Sequence, residues 1–100
     1  MAQTVTMEAY VIDVLMQDLA GHDRSPAAFL VYVFLYAALE RVAGSTVTLS
    51  HARLAESTGL SKSAVQTAVK HLVSRKLLKM TLASPTAVPE YTVLKPWRKR

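Results

Sequence analysis

The chain has 100 residues, 51% of them apolar, no cysteine and a formal net charge of +5. That length and apolar share suit one compact domain with a single core, and the lack of thiols excludes disulfides and thiolate metal sites. The charge is uneven: residues 1–50 hold two Lys and Arg against five Asp and Glu, whereas residues 51–100 hold ten against two. A basic half of this kind is the footprint of a polyanion-binding surface, with nucleic acid ahead of an anionic membrane.

From the first residue, Met1 to Thr6 contain no Lys or Arg, unlike a secretory signal, so a cytoplasmic protein is expected. Between Met7 and Ala20, Val11, Val14, Leu15 and Leu19 recur at helical spacing, with Glu8, Asp13, Gln17 and Asp18 elsewhere. A helix ending at Gly21 follows, although Tyr10-Val11-Ile12 also has the composition of a strand start. His22-Asp23-Arg24 reads as a short polar connection.

Ser25 can cap the next helix, and Pro26 suits its first position, where a missing N–H costs nothing. This helix should run to about Val42 and stop near Gly44. From Phe29 to Leu39 it is apolar on every side, so it needs cover all round. Either the first helix covers its spare face or a second copy of the chain does. In the latter case Val11, Leu15, Phe29, Tyr32, Val33 and Tyr36 would form a homodimer interface. Its apolar run, Ala27 to Leu39, is too short for the roughly 20 residues of a membrane span.

Thr46-Val47-Thr48-Leu49 predicts a minimal strand leading to Ser50 as a helix cap, and Gly59 ends that short helix. Ser61 caps the next, which should run from Lys62 to about Arg75 with Val65, Ala68, Val69, Leu72 and Val73 as its apolar stripe. Beyond Lys76 the period falls to two, giving one strand around Leu78, Met80 and Leu82 and another around Tyr91 and Val93. Ser84 to Pro89, with two prolines, makes a loose hairpin tip between them. The expected organisation is an N-terminal helical extension over residues 1–24, one domain over 25–94 and a basic tail over 95–100.

The order helix, short strand, helix, turn, helix, hairpin resembles the winged helix-turn-helix family over about residues 25–94. Ala55, Gly59 and Val65 stand at the spacings of its turn motif, and Leu54, Leu60, Ala68 and Leu72 at its buried positions. Each has a physical reason: Ala55 permits close helix approach, Gly59 tolerates a left-handed conformation, and Val65 closes the corner. The expected fold class is therefore mainly α with a small β-hairpin, a winged helix-turn-helix preceded by an N-terminal helix. The chain resembles MarR-like regulators in this motif but lacks their long dimerisation helices, and it lacks the separate effector domain of GntR-like regulators. Ser25-Pro26-Ala27-Ala28 after a short helix also resembles the domains of plasmid and phage replication initiators.

The resemblance implies binding of double-stranded DNA with the Lys62–Arg75 helix in the major groove, where base edges can be told apart. Projection at helical spacing puts Ser63, Gln66, Thr67 and Lys70 forward as base readers. Arg53, Ser61, Lys62, Ser74, Arg98, Lys99 and Arg100 are the expected phosphate contacts. Trp97 either stacks near DNA or packs back on the hairpin, and the tip residues Thr86 to Val88 carry no Lys or Arg for a minor-groove contact. Transcriptional regulation, plasmid or phage maintenance, and a protein-interaction module centred on the Phe29–Leu39 helix are the three expected roles. A dimer would read a palindrome with half-sites about one helical turn apart.

No phosphate-cradling glycine loop, GxSxG or HExxH occurs, so no catalysis and no cofactor are expected. His22, His51 and His71 lack ligand spacing, so no metal is expected either.

Overall fold

The structure, a computed structural model, describes residues 3–42 and 44–98. An N-terminal helix comes first, made of two widely wound π segments, Val11–Leu15 and Gln17–His22, joined through Met16. Its buried side chains are Val11, Leu15 and Leu19, every fourth residue. Residues four apart share one face of a helix, so the three form a single buried stripe. Tyr10 and Ile12 belong to this helical region rather than to a strand. The helix also continues past Gly21 to His22, and the left-handed residue of the connection is Arg24 (φ 54°), not the glycine.

Helix α1 spans Pro26–Val42, with the Ser25 hydroxyl accepting from the Ala28 N–H at 3.3 Å. Helix α2 spans His51–Thr58 and α3 spans Lys62–Ser74. Ser50 caps α2 by accepting from the Arg53 N–H, and Ser61 caps α3 by accepting from the Ala64 N–H, each at 3.1 Å. Between them Gly59 has φ 81° and donates its N–H to the Ala55 carbonyl at 2.9 Å. A Cβ at Gly59 would meet nothing within 4 Å, so a side chain there carries only a conformational cost. Gly59→Val is expected to destabilise the protein by about 1–2 kcal/mol in urea unfolding, the penalty for a left-handed β-branched residue. A change near zero would show that the turn can rearrange.

Strands β1 (Val47–Thr48), β2 (Leu78–Thr81) and β3 (Glu90–Val93) form one antiparallel sheet in the order β1-β3-β2. The hairpin β2–β3 was legible from its period of two. The pairing of β1 with β3, Val47 opposite Tyr91, joins segments more than forty residues apart and has no local signal. The chain is thus mainly helical, with a helix-turn-helix followed by a wing-like hairpin.

Helix α1 is central. It packs against the N-terminal helix, α2, α3 and β3 and buries Ala28, Phe29, Val31, Tyr32, Leu35, Tyr36 and Leu39. Of the two covers the sequence leaves open for the spare face of α1, the N-terminal helix is the one the structure supplies. Of the six positions expected at a dimer interface, Val11, Leu15, Phe29, Tyr32 and Tyr36 lie in the chain's own core. Val33 packs against that core and is half-buried. The five buried side chains are thus covered within the chain itself and do not form an exposed interface.

Two stripes are shorter than expected. Val65, Ala68, Val69 and Leu72 are buried, but Val73 is 41% exposed because the next residue turns about 100° off the packed face. Leu78 and Tyr91 are buried, whereas Met80 and Leu82 are exposed where the hairpin projects past the core.

Candidate nucleic-acid interface

Ser63, Gln66, Thr67 and Lys70 are all exposed on α3, opposite the buried Val65, Val69 and Leu72. The hairpin lies along one side of this row. A groove of about 400 Å³ separates it from the helices, with Ser50, His51 and Ala52 at the start of α2, Lys62 and Gln66 on α3, and Met80, Leu82 and Pro85 to Pro89 on the wing. A second cleft of about 310 Å³ continues along α3 between His51, Gln66, Val69, Lys70 and Met80. Neither is lined by a carboxylate. Lys62 and Gln66 thus face the wing, while Ser63 and Thr67 line neither cleft.

The expected phosphate contacts divide. Ser61 and Lys62 stand exposed at the start of α3, and the Ser61 hydroxyl lies 3.3 Å from that of Ser63. Arg53 is exposed in the first turn of α2, with its Nε 3.8 Å from the Glu56 carboxylate. Ser74 sits at the other end of α3, where its hydroxyl donates to the His71 carbonyl at 2.7 Å. The last carbonyls of α3 are occupied as well, with His71, Val73 and Leu72 accepting from the N–H groups of Arg75, Lys76 and Leu77 at 3.0 Å each.

Arg98 is held within the chain. Its guanidinium pairs with Glu8 at 2.7 Å, and the same carboxylate accepts from Trp97 Nε1 and the Tyr36 hydroxyl, each at 3.2 Å. Arg98 first, with Trp97 and Tyr36 helping, holds the Glu8 carboxyl below its usual range. Trp97 stacks on Tyr10 with ring centres 4.6 Å apart and meets Tyr32 edge-on at 6.5 Å. Trp97 and Arg98 therefore fold against the N-terminal segment and α1, and Trp97 packs there rather than onto the hairpin. Lys99 and Arg100, also expected on phosphate, lie outside the described residues.

One cluster has no sequence signal, because its members are about fifty residues apart. Asp23, in the connection before α1, accepts from His71 Nε2 at 2.8 Å and from Arg75, both at the C-terminal end of α3. His22 Nδ1 donates to the same carboxylate at 3.0 Å. These hydrogen bonds, from His22 and then His71, together with the Arg75 charge, bring Asp23 down to about 2. Arg75 is thereby engaged in positioning α3. A lowered carboxylate contributes stability above its unfolded value and loses it as pH falls through its folded value. Asp23→Asn is expected to cost about 1 kcal/mol at pH 7, typical of a part-exposed ion-pair network. The deficit relative to the parent protein should shrink as unfolding is measured from pH 4 down to 2. An undiminished deficit at pH 2 would show that the charge is not its cause.

Among the described residues, no helix is long and apolar enough to cross a membrane. No protein-family model, curated protein or solved structure matches the chain.

Proposed function

We propose that the chain binds double-stranded DNA as a small sequence-reading regulator, with α3 in the major groove and the hairpin beside it as a wing. The observation that supports this most is the exposed row Ser63, Gln66, Thr67 and Lys70, flanked by Lys62 and by clefts without a carboxylate. Such a row matches what a major groove offers. Glutamine pairs with adenine through two hydrogen bonds, threonine meets a thymine methyl, and lysine reaches guanine or phosphate. The free N–H groups at the start of α3 favour a phosphate there, next to Ser61 and Lys62. Arg53 extends the basic surface onto α2.

Selection from a random duplex pool at two salt concentrations, with sequencing of the retained DNA, tests this reading. Retention that weakens steeply with salt and enriches a motif is the expected result. Gln66→Ala should relax preference at one base position, costing about 1–3 kcal/mol on the preferred site and little on others. Equal loss on every sequence would remove Gln66 from base reading. No retention at low salt would overturn DNA binding and favour a protein-interaction module.

A further inference from the structure

His51 opens α2 and lines both clefts, so it stands where α2, α3 and the wing meet. Its Nε2 has no solvent contact and no hydrogen-bond partner among the described residues. A buried polar atom left without a partner is destabilising, so the free protein leaves this ring unsatisfied beside the two clefts.

Resting on the DNA reading above, we propose that His51 is a backbone contact that takes up a proton when a phosphodiester enters the wing groove. In the free protein, protonation would place a second N–H and a positive charge in a confined space. The charged groups facing the ring from α3 are Lys62 and Lys70, both of the same sign. On its own helix, Arg53 is turned toward Glu56. The wing faces it with Met80, Leu82 and the uncharged stretch from Pro85 to Pro89. Burial, and then the Lys62 charge, accordingly hold the imidazole below the usual histidine range. A phosphodiester reverses each of these influences, because its negative charge offsets Lys62 and its oxygens accept from the ring. The step consumes one proton from solvent and makes or breaks no other bond. The charge is shared by both ring nitrogens, so the anion gains from it through either edge. The apolar wing wall suits the deoxyribose of the same strand and limits water that would screen the contact.

Linkage sets the sign. A group whose proton affinity rises on binding strengthens the complex as pH falls from its bound to its free value, by at most tenfold per pH unit for one proton. The test is fluorescence-anisotropy titration of a labelled random-sequence 20-base-pair duplex at constant ionic strength, from pH 8.5 to 5.5. Calorimetry in two buffers of different ionisation enthalpy counts protons directly on the unaltered protein. The expected result is several-fold tighter binding at pH 5.5 than at 8.5, with net proton uptake on binding within that range. His51→Gln should flatten the profile. His22→Asn, which alters an exposed histidine away from both clefts, should keep the slope. Binding with a flat profile and no proton uptake, or an equal slope in His51→Gln, overturns the His51 proposal and leaves DNA binding intact. Absence of binding at every pH overturns both. Circular dichroism of His51→Gln confirms that the variant is folded, and the two-buffer proton count stands without it.

Discussion

Tyr32→Ala is expected to lower the unfolding free energy by about 4 kcal/mol, the usual cost of removing a fully buried aromatic ring. Tyr32 has no exposed surface, and its ring meets Tyr36 at 6.1 Å and Trp97 at 6.5 Å. Its hydroxyl donates to the Leu94 carbonyl at 2.9 Å, tying α1 to the chain just beyond β3 across 62 residues of sequence. Burial also pushes that hydroxyl's proton affinity up, keeping it a neutral donor. Truncation leaves a cavity beside Tyr36 and Trp97 and frees the Leu94 carbonyl just beyond β3. In a domain of this size, total stability is about 5–15 kcal/mol, so the variant should melt about 20 °C lower. Urea and thermal unfolding, followed by far-UV circular dichroism and Trp97 fluorescence, measure it. Tyr32→Phe retains the ring and should lose only about 1 kcal/mol. A loss for the alanine variant no larger than that for phenylalanine would mean that Tyr32 is not central to the core.

Reversing charge at Lys62 and Lys70 together, as Lys62→Glu with Lys70→Glu, is expected to weaken binding to every duplex by about a hundredfold near 100 mM salt. Each removed phosphate contact lowers the salt slope by about 0.9, so the double variant should lose about two units of slope. Both side chains are exposed, and their substitution should leave unfolding within about 0.5 kcal/mol of the parent. That separates an effect on binding from an effect on folding. The uniform loss also contrasts with Gln66→Ala, whose effect should depend on sequence. Unchanged affinity in the double variant would remove α3 from the DNA surface even if the protein bound DNA elsewhere.

Much of this architecture is legible one segment at a time. Ser25, Ser50 and Ser61 precede their helices as hydroxyls that accept a first-turn N–H, and Gly59 occupies the left-handed position its motif requires. The apolar stripe of α3 separates Ser63, Gln66, Thr67 and Lys70 from the core because burial follows the helical repeat. Signals of this kind involve residues within a few positions of one another. The same locality explains two partial errors: a stripe or an alternation says which face is apolar, not where the rest of the fold stops covering it. Val73 and Met80 lie where that cover ends.

The chain's own order of residues determined its helices, its hairpin, its basic half and the face that α3 turns to solvent. Only tertiary structure decided what each surface meets. It placed Arg98 and Trp97 on Glu8, across ninety residues, and gave Arg75 and His71 to Asp23. It closed one side of the central α1 with the N-terminal helix, and it brought His51 under the wing. Helical and strand repeats arise from backbone geometry within a few residues. A lone carboxylate or histidine carries no mark of which distant group the folded chain will set beside it.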